Sequence, residues 1–252
     1  MDKTNYHTHT KRCKHAIGED REYIECAIKN GFKVLGFSDH CPFIYNGYTS
    51  FMRMNPEDVE GYFYSLTNLK AEYKKEIEIL IGFEEEYFPS EYFNQKKLLD
   101  GYPVDYYILG QHSLLPEPLG KYTGDPTAND QDLIDYVNLI IAALKTGRYK
   151  YIAHPDLLNY IGEEKIYYSE YKRLCEYLKK NNIPIEINLL GIASGRHYPS
   201  ERFLQIASKI GNCAIIGFDA HSPQSLLDNT TYNLAVEMAR KYGLHLLEYL
   251  SI

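Results

Sequence analysis

The chain has 252 residues, 44% hydrophobic and 24% charged, with a formal net charge of −7 at pH 7. A chain of this length can bury about 73% of its unfolded surface, so it needs no disulfide or metal staple, and its composition excludes disordered and collagen-like classes. With basic runs no longer than residues 11–15 (KRCKH), the acidic balance argues against nucleic acid and favours a small-molecule partner.

No apolar run reaches the roughly 18 residues of a membrane span, and the first residues lack the apolar stretch of a signal peptide. A cytoplasmic protein without membrane attachment is expected. Cys13, Cys26, Cys41, Cys175 and Cys213 form an odd set without Cys-x-x-Cys, which reads as free thiols in a reducing compartment.

The first expected strand covers 3–6. A helix follows over 19–30, stopped by Gly31. Residues 33–38 form a second strand, 41–55 a loop, and 56–75 a helix whose first turn suits Pro56. A third strand spans 77–84, a fourth 105–110, and a Pro- and Gly-containing loop 115–128. The helix over 129–146 opens at Asn129, with Asp130 and Asp132 where the dipole favours them. Then come a fifth strand (149–153), a helix opening at Ser169 (169–181), a sixth strand (183–188) and a helix (199–210). A seventh strand (213–218) and a helix (231–242) follow, with 245–250 as a last strand or helical tail.

Repeated β–α alternation signals a mostly parallel sheet. No linker or internal repeat interrupts it. One α/β domain over 1–252 is expected, a (β/α) barrel of seven units, with a doubly wound open sheet as the alternative.

Metal-ligating side chains gather at the strand ends. The first strand ends in His7 and His9, the second in Asp39 and His40, the third in Glu84, Glu85 and Glu86. The fourth ends in His112, the fifth in His154 and Asp156, the seventh in Asp219 and His221. The sixth lacks a ligand at its end and leads to Arg196 and His197. In parallel barrels these ends surround one site. Residues i and i+2 on a strand point the same way, so His7 with His9, and Asp219 with His221, can each grip an ion as a pair. Singly, each piece has an ordinary reading as a turn, cap or solvated charge run. Jointly they point to metal, and mixed His and carboxylate donors suit Zn, Mn or Fe. So many ligands suggest more than one ion. Nucleotide-binding Gly loops, the His-Glu-x-x-His motif and the Gly-x-Ser-x-Gly elbow are absent from the sequence.

Tyr-His-Thr-His at 6–9, His15, Phe-Ser-Asp-His at 37–40, Gly-Phe-Glu at 82–84, Gly-Gln-His-Ser at 110–113, Ala-His-Pro-Asp at 153–156 and Phe-Asp-Ala-His at 218–221 together resemble the polymerase and histidinol phosphatase (PHP) family. The resemblance covers essentially the whole chain, and Glu-Ile-Asn at 186–188 followed by Gly-Arg-His-Tyr-Pro at 195–199 resembles the phosphatase branch. It implies a distorted (β/α)7 barrel holding three divalent ions. His7, His9, Glu84 and Asp219 would bind the first, and Glu84, His112 and His154 the second. His15, His40 and His221 would bind the third.

The resemblance further implies hydrolysis of a small phosphomonoester, L-histidinol phosphate above all, by a metal-bridging hydroxide. Arg196 and His197 would contact phosphate, with His197 a candidate proton donor, and Asp219 could also orient the attacking water. Tyr160, Tyr198, Glu85 and Asp156 stand open as contacts for the substrate's imidazole and ammonium. The alternatives are a related phosphoesterase acting on another phosphate ester or nucleotide, and a non-catalytic metal-stabilised module. Oligomeric state is left open.

Overall fold

The computed structural model describes residues 2–45 and 47–252; Asn46, inside the expected loop 41–55, lies outside the described residues. Its wall is built from parallel strands β1 (Lys3–Asn5), β2 (Phe32–His40), β3 (Glu78–Glu85), β4 (Tyr106–Leu109), β5 (Ile185–Asn188), β6 (Cys213–Gly217) and β7 (His245–Leu246). Hydrogen bonding orders them β1-β2-β3-β4 and β5-β6-β7. Residues such as Leu35, Phe37, Ile79, Ile81, Phe83 and Ile187 are buried. Strands covered on both faces need this near-continuous apolar character.

The two sheets are parts of one curled wall. The expected fifth strand at 149–153 is reduced to single bridges from Ile152 to Leu109 and to Ile185. Even so, Lys150 N–H donates to Tyr107 O (2.9 Å) and Glu186 N–H to Ile152 O (3.1 Å), so the segment fills the gap between β4 and β5. A third parallel bridge, Thr8 to Ala220, joins the end of β1 to the end of β6. The strands thus curve into a distorted barrel. The last expected strand survives only as β7, pairing Cys213 with His245.

The outer layer is α1 (Asp20–Lys29), α2 (Val59–Glu72), α3 (Tyr92–Leu98), α4 (Asp130–Leu144), α5 (Glu164–Lys180), α6 (Leu189–Ala193), α7 (Glu201–Ile210) and α8 (Asn229–Lys241). Side-chain caps explain several starts. Asn129 accepts from Gln131 N–H, Ser200 from Phe203 N–H and Asp228 from Thr231 N–H. Helix α5 begins well before Ser169, which lies inside it. Its N-cap, Glu163, makes no side-chain cap; instead Glu163 N–H donates to the Tyr160 hydroxyl (2.9 Å), a partner outside any local capping pattern. Helices α3 and α6 were not anticipated, being too short to show a period. The accessible surface is 11447 Å², close to the value of about 11,500 Å² that scaling gives. Among the described residues no helix is long and apolar enough to cross a membrane.

Candidate metal centre

All nine expected ligands converge at the C-terminal ends of the strands. The His9 ring lies 4.1 Å from His221 and 4.3 Å from His40, His15 lies 4.8 Å from His221, and His112 lies 4.9 Å from His154. His7, His9, Glu84, His154 and Asp219 are almost fully buried. Strand alternation sorts the triple-Glu run. Glu84 faces the histidines, Glu85 pairs with Arg148 (2.6 Å), and Glu86 pairs with Arg53 (2.5 Å).

Four ligand atoms crowd one point. His7 Nε2 lies 3.1 Å from His9 Nε2, 3.5 Å from Glu84 Oε2 and 3.4 Å from Asp219 Oδ1. His9 Nε2 lies 3.6 Å from Glu84 Oε2 and 3.1 Å from Asp219 Oδ1. A tetrahedral ion with bonds near 2.0–2.1 Å would space its ligands about 3.4 Å apart. The other carboxylate oxygen, Glu84 Oε1, faces a second group, 2.8 Å from His154 Nε2 and 3.5 Å from His112 Nε2. One carboxylate therefore serves two groups.

Two members of the third expected group are held by backbone, while the third, His40, turns Nδ1 to Glu84 Oε2 (3.1 Å). His15 Nδ1 bonds Cys13 O (2.8 Å) and His221 Nδ1 bonds Asp219 O (3.0 Å), which leaves each Nε2 free for other partners. Cys13, expected only as one of five free thiols, lies beside this group. It is buried, and its sulfur lies within 4.8 Å of ligand atoms of His15 and His221. Burial chiefly, with Asp39 nearby, raises its pKa and keeps it a neutral thiol.

The charges here are mutually dependent. Burial opposes protonating His7, but Asp219, Glu186 and Glu84 outweigh it and push the ring up to about 10. Burial and the neighbouring His9 push His221 down to about 3. Burial disfavours the charge on Glu84 and Asp219, yet the surrounding histidines hold both well below the ordinary carboxylate range. Glu84 Oε2, His9 Nδ1 and His154 Nδ1 are buried without hydrogen bonds. His154 (φ 30°) and Asp219 (φ 49°) take left-handed backbone, which costs a non-glycine residue about 1–3 kcal/mol and persists mainly at functional sites. The donor set, its spacing and its orphaned atoms fit divalent metal ions.

The centre floors a cavity of about 920 Å³ whose walls include Phe51, Met52, Glu117, Tyr122, Arg196 and Tyr198. Arg196 Nη1 donates to the Tyr198 hydroxyl (2.7 Å). His197 also lines the cavity, but its Nε2 bonds Leu157 O (2.7 Å). That geometry places the hydrogen of a neutral ring on a carbonyl and leaves Nδ1 as an acceptor.

Of the four open substrate contacts, Tyr198 alone lines this cavity. Tyr160 donates to Asp130, Glu85 turns to Arg148, and Asp156 accepts Ser200 N–H (2.7 Å). Sequence reasoning missed Glu117 and Arg53. Arg53 donates to Glu117 Oε1 (2.8 Å), while Glu117 Oε2 is buried with no hydrogen-bond partner among the described residues. Both sit in loops whose path no periodic signal reveals. His245, in β7, is exposed.

Comparison with known proteins bears on this geometry. The PHP domain family model matches residues 5–189. A probable histidinol-phosphatase of Deinococcus radiodurans is 25% identical over 232 residues, spanning 86% of this chain and 85% of that protein. One of Schizosaccharomyces pombe is 27% identical over 265 residues, spanning 94% and 86%. A crystal structure of histidinol phosphate phosphatase from Lactococcus lactis, complexed with zinc, L-histidinol and phosphate, superposes with a TM-score of 0.76 at 19% identity. It covers 100% of this chain and 99% of that one, and the likeness establishes the fold.

Proposed function

This chain belongs to the PHP domain family, and from that premise we propose that it is a metal-dependent histidinol-phosphatase, releasing L-histidinol and phosphate from L-histidinol phosphate. The observation that carries the reading is a two-sided Glu84 among seven histidines, five of which line one cavity together with a guanidinium and a carboxylate. Relatives along most of the chain bear the histidinol-phosphatase name.

Three ions, zinc, manganese or iron, would be held by His7, His9, Glu84 and Asp219, by Glu84, His112 and His154, and by His15, His40 and His221. When bound, they would supply positive charge for phosphate oxygens and an acidified water as nucleophile. The chain's own groups do the rest. Arg196 offers its planar fork to phosphate, oriented by the Tyr198 hydroxyl. Asp219 Oδ2 accepts Asn188 Nδ2 at 3.0 Å, which fixes the plane of a carboxylate suited to orient the attacking water. His197, tied to Leu157 O, serves better as a phosphate neighbour than as a proton donor. Glu117, which lines the cavity beside Arg53, suits the substrate ammonium, and the exposed side chains of Phe51 and Met52 suit the flat imidazole.

The test is phosphate release by zinc- or manganese-loaded protein from L-histidinol phosphate and a panel of other monoesters, with a chelated control. Metal-dependent release preferring histidinol phosphate is expected. Release from other esters alone would overturn the substrate, and no release by protein shown to hold metal would overturn the enzyme.

A further inference from the structure

Strand β5 carries no expected metal ligand, yet it points two buried polar side chains into the centre. Glu186 and Asn188 lie two residues apart, so they share the strand's inner face, and both are essentially inaccessible to solvent. Each touches residues of other strands. Glu186 Oε1 meets His7 Nδ1 at 2.8 Å and the Tyr151 hydroxyl at 3.4 Å. Glu186 Oε2 accepts His154 N–H and Asn188 Nδ2, both at 2.9 Å. Asn188 Nδ2 reaches on to Asp219 Oδ2, while Asn188 Oδ1 accepts Gly191 N–H at 2.8 Å.

We propose that Glu186 is the positioning residue of the metal centre, holding His7 as the Nδ1–H tautomer and anchoring His154 and, through Asn188, Asp219. The donors that meet at Glu186 require a carboxylate there. The backbone amide, the asparagine amide and the phenol can each donate to it. The imidazole donates as well if Nε2 is to keep its lone pair. Only a side chain with acceptors at both ends satisfies all of them, and a carboxylate is that group. A glutamine in its place turns its NH2 either onto His154 N–H and Asn188 Nδ2 or onto His7. In the second case His7 must accept at Nδ1 and move its hydrogen to Nε2, the atom that faces His9, Glu84 and Asp219. The barrel also makes room for this carboxylate: a Cβ on Gly217 of β6 would lie 2.5 Å from Glu186 Cδ. The strand without a ligand thus supplies the acceptor that aims the ligands of its neighbours.

The inference rests on the reading of His7, His154 and Asp219 as ligands, and zinc binding tests it separately from catalysis. Zinc titration of the wild-type chain and of Glu186→Gln, each checked by circular dichroism and thermal melting, should show affinity falling by about 10- to 100-fold in the variant. Glu186→Asp, which keeps two acceptors, should recover part of the loss. In zinc-loaded wild-type protein, nitrogen-15 long-range correlation spectra should place the His7 hydrogen on Nδ1. Wild-type affinity in a folded Glu186→Gln protein would overturn the proposal, as would a His7 hydrogen on Nε2. If Glu186→Gln does not fold, the wild-type ring spectrum decides. A wild-type chain that binds no zinc would instead defeat the metal-centre reading on which the proposal stands.

Discussion

Gly110, just past β4, offers a test of the two-sided carboxylate. A Cβ at this position would lie 2.5 Å from Glu84 Cδ and 2.7 Å from Glu84 Cγ, where ordinary contacts begin at 3.4 Å. In Gly110→Ala the Glu84 side chain must therefore retreat by about 1 Å, against a tolerance of about 0.2 Å for a metal–ligand bond. It has little room to do so, because Oε1 is tied to His154 at 2.8 Å and Oε2 lies 3.1 Å from His40 Nδ1. Overpacking of this kind costs about 1–3 kcal/mol, which a domain of this size survives folded. A 1 Å misplacement near reacting groups lowers turnover about 100-fold. Zinc affinity, followed with a competing chromophoric chelator, should fall at least tenfold by the scale of ~10- to 100-fold losses seen for disturbed metal shells. Phosphate release from L-histidinol phosphate should fall in parallel. A folded Gly110→Ala protein with wild-type affinity and turnover would refute the placement of Glu84 between two ions.

Four further outcomes are expected. Gly61 sits exposed in α2, where a Cβ meets nothing within 4 Å; Gly61→Ala should raise stability by about 0.5–1 kcal/mol in a denaturant melt and leave zinc affinity alone. Arg196→Ala removes a charge-assisted phosphate contact worth about 1.5–3 kcal/mol, so steady-state kinetics should show kcat/KM lowered about 10- to 100-fold with a raised KM. Glu117→Gln should raise KM for L-histidinol phosphate about tenfold, the scale of one charge-assisted contact, and affect phenyl phosphate far less; equal effects on both esters would remove Glu117 from ammonium recognition. Stripping metal with a chelator removes a ligand held at about 100 times its Kd, worth about 2.7 kcal/mol. Calorimetry should then record a Tm about 5–10 °C lower, restored by zinc.

The alternation of strands and helices was legible because each strand, buried on both faces, is a short apolar run between turn signals, as in β3 with Ile79, Ile81 and Phe83. The expected fifth strand shrinks because, although Tyr151 and Ile152 are apolar enough for a strand and the segment bonds β4, Ile152 alone bridges both neighbours. The convergence of His7, His40, Glu84, His112, His154 and Asp219 was legible because a parallel barrel brings all strand ends to one face. The groups behind that layer were not. Asp39, 3.6 Å from His9 Nδ1, shows in sequence only as one strand-end candidate among several, and Glu186, beside His7, only as part of the stretch resembling the phosphatase branch. Their role depends on which neighbour donates to them, a fact of three-dimensional packing. Glu117 was invisible for a different reason: it reaches the cavity from a long loop, and its partner Arg53 comes from another.

The bridge from Thr8 to Ala220 sets an order of events for the growing chain. His7 and His9 leave the ribosome more than two hundred residues before Asp219 and His221. Until β6 docks beside β1, the four-atom cage has two histidines and at most one carboxylate, and Asn188 has no Asp219 to hold. An ion that meets the nascent chain finds an incomplete chelate, easily exchanged. The full set of four ligand atoms is assembled only when the last wall segment closes. Full chelation by these four atoms would therefore require the closed wall, so the final selection of an ion would follow the synthesis of Asp219 and His221.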